Sequence, residues 1–341
     1  MDKILVIRFS ALGDVALTVP VIKQVLAEYK DTTIVFLTKK TFIPIFGNTE
    51  RLEFVTPDLK NYKGFVGLLK LFREIKKQQN ISKVIDLHDV LRTKLLRFFF
   101  MFSFVKTYKI NKGRKQKRKA TRKHNKELKL LKHSSIRYFD VFKQAGLKVT
   151  PDLNYINNKE LYSQNINENI KFKTKNIGLA PFAFHKQKTY PVEMMEVVVK
   201  ELNNRDFGIY IFGGGNLEKE IAEGFEQKFE NVVSLVGKYD LNTELQIIKS
   251  LNIMLTMDSA NMHLATLTGT KTISIWGATH PYLGFYPYGN LHEKIFIQIS
   301  EKELTCRPCS VFGKKECYRG DLACMNNIEP EQIIKTIIQN I

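Results

Sequence analysis

Hydrophobic positions along this chain follow two periods. Short apolar and β-branched runs at Lys3–Phe9, Thr33–Leu37, Glu53–Thr56, Lys83–Asp86 and Lys106–Ile110 predict strands. Between them, apolar residues recur every three to four positions over Val15–Tyr29, Gly64–Gln79, Leu91–Met101 and Ser134–Ala145, which predicts helices. Strands alternating with helices imply a parallel sheet wrapped by helices. A polar stretch from about Tyr155 to Asn176 interrupts the pattern and reads as a domain boundary. The alternation then resumes. Strands are expected at Asn176–Ala180, Gly208–Phe212, Val232–Leu235, Ile253–Thr256 and Thr272–Trp276, and helices at Val192–Asn203, Leu217–Phe229, Thr243–Ser250 and Asn261–Thr268. A last helix, Pro330–Ile341, starts on proline and lines up Ile333, Ile334, Ile337, Ile338 and Ile341. Two α/β halves with a cleft between them are expected. Ligands of such sheets sit beyond the carboxyl ends of the strands, which directs attention to loops 10–14, 181–191 and 257–260.

Composition changes this picture in one place. The 341 residues suit two domains, and the net charge of +19 is uneven. Residues 106–133 hold 13 Lys and Arg against one acid, Glu127, so this segment supplies +12 and the other 313 residues only +7. Such a run serves nucleic acid, an anionic membrane or an acidic substrate, or is simply solvated. Its 113–125 portion has no hydrophobic period and predicts a mobile loop. The N-terminus, MDKILVIRF, shows no signal-peptide pattern. The greasiest stretch, Leu95–Val105, is about half a membrane span and is broken by Arg97. A cytoplasmic protein is therefore expected.

Three loops carry candidate chemistry. Ser10-Ala11-Leu12-Gly13-Asp14 has a single glycine and so lacks the G-x-G-x-x-G dinucleotide fingerprint, which weakens an oxidoreductase reading. Gly13 permits close approach to the backbone, and Asp14 is either a helix N-cap or a carboxylate facing the ligand. In "TMDSANMHLATLTGT", Asp258 ends a strand while Ser259 and Ala260 open a helix whose free N–H groups suit a diphosphate. His263, one turn in, either reaches the same anion or packs. Lys188, in "FHKQKTYP", is a candidate charge clamp or a solvated loop lysine. Glu218, after the glycines of "FGGGNLEKE", either accepts ribose hydroxyls or is a helix-start acid.

Together, "IRFSALGDVALTVPVI", "IDLHDVLRT", "HSSIRYFDVFKQAGL", "HKQKTYP", "MDSANMHLA" and "IWGATHP" resemble the successive motifs of glycosyltransferase family 9, in order, from residue 3 to about 290. The resemblance implies a GT-B fold: two Rossmann-like α/β domains with parallel sheets facing a central cleft. It assigns residues 1–160 to acceptor binding, with a basic mobile loop at about 112–125, and 161–325 to the nucleotide-sugar donor. It returns 326–341 as a helix packing back on the N-terminal domain. It implies inverting, metal-independent transfer of a heptose from ADP-heptose to a lipid A-linked core acceptor, at the cytoplasmic face of the inner membrane. Asp14 matches the base. Lys188 matches the lysine of K-x-W-P, with Tyr190 in place of Trp. Gly13, Glu218, Asp258, Ser259, Ala260 and His263 fall to the donor site. Ala260 stands where Gly is usual, and Ala278 where a proline is frequent before Thr279. Ser10, Arg92, Lys112 and Arg114 are expected on the acceptor, and the basic run on the anionic membrane surface. No cofactor is required for transfer.

All four cysteines fall within 19 residues as C-x2-C-x7-C-x6-C: Cys306, Cys309, Cys317 and Cys324. A structural zinc ion, disulfides and free thiols all stay open, since the second pair departs from zinc-ribbon spacing. The competing reading is a basic nucleic-acid-binding protein that uses the 106–133 run on phosphates. It leaves Asp14, Lys188 and the 258–263 motif unexplained; the transferase reading expects no nucleic acid partner.

Overall fold

A computed structural model describes residues 2–155 and 170–341. The chain divides into two compact units, Met1–Lys112 with His133–Tyr155 and Gly113–Lys132 with Ile156–Ile341. Most of the polar stretch expected as the boundary lies outside the described residues.

In the first unit the elements are β1 (Asp2–Ile7), α1 (Leu12–Ala16), α2 (Val19–Glu28), β2 (Thr32–Leu37), β3 (Leu52–Val55), α3 (Gly64–Gln78), β4 (Lys83–Asp86), α4 (Leu91–Phe102) and β5 (Lys106–Lys109); α6 (Ser134–Gln144) follows after an excursion. The strands form one parallel sheet in the order β3-β2-β1-β4-β5. β1 and β2 are buried almost throughout, as their unbroken apolar runs require. The single helix expected over Val15–Tyr29 is two. Pro20, second residue of α2, cannot donate a helical hydrogen bond and its ring crowds the preceding turn, while the Thr18 hydroxyl donates to the Val15 carbonyl at 2.7 Å.

The second unit begins, in sequence, with α5 (Arg114–Ala120). It continues with β6 (Asn176–Ala180), α7 (Val192–Asn204), β7 (Gly208–Ile211), α8 (Asn216–Lys228), β8 (Val232–Ser234), α9 (Leu241–Lys249), β9 (Ile253–Met257), α10 (Ala260–Leu267), β10 (Lys271–Ile275), β11 (Ile295–Ile297), α11 (Ala323–Asn326) and α12 (Pro330–Ile338). Its parallel sheet runs β11-β10-β9-β6-β7-β8. Each unit is thus doubly wound, with its chain reversing direction between the first and fourth strands: β1/β4 in one, β6/β9 in the other. Crevices at such switch points are where doubly wound sheets bind ligands. This is the Rossmann-like pair of α/β domains that the motifs implied.

Two expectations need correction. The 113–125 segment is not a loop of the first unit. Seven of its residues form α5, and it packs within the second unit: the buried Lys117 ammonium lies 3.8 Å above the Phe285 ring, and Leu131 N–H donates to the Tyr282 carbonyl. Its charge pattern hid this, because the apolar partners come from Phe285 and Leu283, far along the chain. The last helix, expected against the N-terminal domain, packs on α7, with Ile333 and Ile337 in the core of the second unit.

Candidate active site

In the first unit, β1 and β4 deliver their loops side by side. β1 ends at Ile7 opposite Asp86 of β4. Beyond it, Arg8 is buried and reaches two ways: one nitrogen pairs with Asp14 Oδ2, and Nη1 donates to the Leu87 carbonyl at 2.7 Å. Asp14 is the third residue of α1 and is not its N-cap. Ala11 occupies the cap with extended backbone and makes no side-chain cap bond. The carboxylate is therefore not spent on backbone N–H groups. It is held by a cation from the preceding strand end and stays 30% exposed, which leaves it open to a substrate. The Tyr138 hydroxyl of α6 donates to the Asp14 carbonyl at 3.3 Å and anchors this turn.

Across from it, Asp86 is fully buried and folds its own loop. Oδ1 accepts the N–H groups of His88 (2.9 Å) and Asp89 (2.8 Å), while Oδ2 pairs with Arg97 at 3.1 Å. His88 is buried, its Nδ1 has no hydrogen-bond partner, and its ring lies tilted against that of Phe9, with centroids 6.2 Å apart. Burial, then the charges of Arg8 and Lys112, push its pKa down to about 4. At neutral pH it is an uncharged ring between cations. Arg92 and Asp14 act on it as well. The structure thus gathers Asp14, Arg92 and Lys112 around His88, a residue that the sequence reading passed over along with Arg8. Ser10, part-exposed, lies in the β1–α1 loop. Arg114 is exposed at the start of α5, in the second unit.

The second unit repeats the arrangement with opposite charge. The β6 loop forms a 3-10 turn over Lys186–Lys188. Lys188 Nζ lies 3.1 Å from Asp258 Oδ2, and the Thr279 hydroxyl donates to the same oxygen at 2.8 Å. Both charged side chains are mostly buried, at 15% and 11% exposed. Asp258 follows β9 directly, and α10 starts two residues later with Ser259 at its cap and no side-chain cap bond. The first-turn amides of α10 are therefore free of side-chain competition for an anion. His263 is buried on the first turns of that helix. Glu218 accepts the Gly214 N–H at 2.6 Å, so one of its oxygens serves the start of α8, as the helix-acid reading had it.

Neighbouring segments hold this array. Ala278 N–H donates to the Gln187 carbonyl at 3.2 Å, tying the lysine turn to the β10 exit. Tyr190, where the motif has Trp, is buried and its hydroxyl donates to the Ile328 carbonyl at 2.6 Å. The buried Arg307 guanidinium donates to the carbonyls of Gly277 (2.6 Å), Trp276 (3.0 Å) and Thr279 (3.2 Å). None of the four cysteines is disulfide-bonded. Among the described residues, no group of three or more His, Cys, Asp or Glu is set at metal-binding spacing.

The profile of glycosyltransferase family 9 (heptosyltransferase) matches residues 68–315. Lipooligosaccharide heptosyltransferase 2 of Campylobacter jejuni is 30% identical over 49% of this chain, and that match spans about half (52%) of the relative's length. Lipopolysaccharide heptosyltransferase 1 of Campylobacter coli is 24% identical over 98% of each chain. The solved structure of E. coli heptosyltransferase WaaC with ADP shares the fold, with a TM-score of 0.69 and 15% identity over 99% of this chain and all of that one.

Proposed function

Because this chain belongs to glycosyltransferase family 9, we propose that it is an inverting heptosyltransferase of lipopolysaccharide core assembly. Its donor is ADP-heptose and its acceptor a lipid A-linked core sugar. The observation that carries this reading is the Lys188–Asp258–Thr279 array beside the uncapped start of α10. A fixed cation and unshared helix amides fit a leaving diphosphate, whose charge grows as the glycosidic bond breaks. A relative whose structure holds ADP supports the nucleotide.

The chemistry follows from the two loops. The acceptor hydroxyl gives its proton to Asp14 as its oxygen bonds to the anomeric carbon. The bond from that carbon to the diphosphate oxygen breaks on the opposite side, so the configuration inverts. Arg8, paired with the carboxylate, keeps it aimed. Lys188 and the α10 amides take up the charge on the departing ADP. With proton and charge both accounted for, the step asks for no metal. His263 and the second oxygen of Glu218 complete the donor site in this reading, with Gly13 giving clearance beside Asp14. Ser10, Arg92 and Lys112 orient the acceptor, and neutral His88 shapes its pocket.

Membrane docking is assigned here to the α4 face. Phe98 (45%), Met101 (54%), Phe102 (68%) and Phe104 (99%) are exposed, while Leu96, Phe99 and Phe100 fill the core. No helix among the described residues is long and apolar enough to cross a membrane. Exposed aromatics beside Lys94 and Lys106 suit the interface of an anionic leaflet.

The test is Asp14→Asn. Turnover falls by about 10²–10⁴-fold while ADP affinity stays within threefold. Equal loss of both would return Asp14 to a structural role, and retention of the donor's anomeric configuration in the product would refute the single displacement.

A further inference from the structure

The segment that follows the last strand runs back to the lysine turn. Cys309 and Ser310 both donate their N–H groups to the Ala278 carbonyl, at 3.0 and 3.1 Å, and Ala278 donates in turn to Gln187. From there the chain dips inward: Gly313 is buried, while Phe312, Lys314 and Lys315 around it are exposed. A Cβ at Gly313 would stand 2.6 Å from Lys188 Cδ, 2.7 Å from Lys188 Cγ and 3.3 Å from His185 Cβ. The Gly313 backbone therefore lies along the middle of the lysine stem, where a larger residue has no room.

This turn is braced from outside. Lys126 Nζ, from the basic run, donates to the carbonyls of Thr305 (3.0 Å) and Cys306 (2.7 Å). The Phe312 ring packs on Phe285 with centroids 5.5 Å apart, and Phe285 also carries the Lys117 ammonium. A lysine stem turns about several bonds and, unlike a guanidinium fork, does not fix its own charge in place. We infer that Gly313 is a positioning residue for transfer: its backbone walls in Cγ and Cδ of Lys188, so that the ammonium stays beside Asp258 and aimed at the leaving diphosphate. A charge held this way needs no rearrangement as the bond breaks. The inference rests on the role proposed above for Lys188.

The competing explanation is that Gly313 serves only its own backbone, whose φ of +77° lies in the left-handed region. Gly320, further along the same segment, separates the two. Its φ is +82°, but a Cβ there meets nothing within 4 Å. Alanine is thus comparably strained at both positions and collides with the lysine at one.

The experiment compares full-length wild type, Gly313→Ala, Gly320→Ala, Lys188→Ala and the Lys188→Ala/Gly313→Ala double variant. In single-turnover transfer, Gly313→Ala should be slower by about 10- to 100-fold, as for a catalytic group displaced by about 1 Å. Gly320→Ala should stay within about twofold of wild type, and adding Gly313→Ala to Lys188→Ala, where Cγ and Cδ are gone, should change the rate by less than about twofold. Thermal melting gives the same cycle without substrate: Gly313→Ala should lower the Tm more in wild type than in the Lys188→Ala background, and this reading survives even if the single variant unfolds. Amine acylation of the resting protein, followed at Lys188 by peptide mass spectrometry, should be several-fold faster in Gly313→Ala and unchanged in Gly320→Ala. Additive losses in the double variant, equal losses at the two glycines, or unchanged labelling of Lys188 in a folded Gly313→Ala would each overturn the inference. Failure of wild type to bind ADP would instead overturn the proposed function, with the melting and labelling comparisons still deciding what Gly313 does to Lys188.

Discussion

Replacing Lys188 with alanine separates its pairing with Asp258 from its proposed neutralisation of a leaving group. Removing one partner of a fully buried ion pair costs about 3–5 kcal/mol. Here the two side chains keep 15% and 11% exposure, and the Thr279 hydroxyl still satisfies the stranded carboxylate. The loss should therefore be about 2–3 kcal/mol, lowering the Tm of a unit this size by roughly 4–12 °C. The rate should fall by about 3 kcal/mol, roughly 150-fold, as for a lost oxyanion donor. Adding Asp258→Asn removes the unpaired charge, so the double variant should regain most of the stability and none of the rate. Scanning calorimetry and single-turnover transfer of labelled heptose read the two quantities separately. If the double variant recovers activity, or Lys188→Ala slows turnover less than threefold, Lys188 acts only by pairing with Asp258 and the clamp argument is wrong.

Other consequences concern buried groups. His88 has its pKa lowered to about 4 by burial, so the unfolded chain binds its proton first as pH falls. Stability from this group is complete above about pH 6.5 and is lost on acidification through pH 4, up to about 3 kcal/mol; His88→Asn should flatten that part of a stability–pH curve. Glu244 runs the other way. Burial raises it to about 7, so the folded chain binds the proton more tightly and stability declines as pH rises from about 4.5 to 7. Glu244→Gln should add about 1–3 kcal/mol at pH 8 and almost nothing at pH 4, measured by urea unfolding. Tyr190→Phe should cost about 1–2 kcal/mol by leaving the Ile328 carbonyl without its donor, with no change in the pH profile of transfer.

Much of this molecule is legible in the residue order. The strand at Lys83–Asp86 and the strand at Asn176–Ala180 match the expected bounds, because a short, largely apolar run between polar segments has few alternatives. Asp14, Lys188 and Asp258 could be picked out because each follows a strand at a place where doubly wound sheets bind ligands. Local sequence also carried what each loop is made of: one glycine before an acid, a lysine before an aromatic-proline pair, an acid before two small residues.

What local order could not decide is who pairs with whom. Nothing near Asp14 shows whether its carboxylate caps a helix or meets a cation; that depended on Arg8 being buried beneath it, with the Leu87 carbonyl to share. His88 gave no signal until the sheet set Arg8 and Lys112 beside it. The basic run looked solvated because its apolar partners, Phe285 and Leu283, lie some 160 residues away. Strand and helix formation is governed by neighbours in sequence, and period alone reports it. Burial and ion pairing are governed by neighbours in space, and only the tertiary structure brings those together.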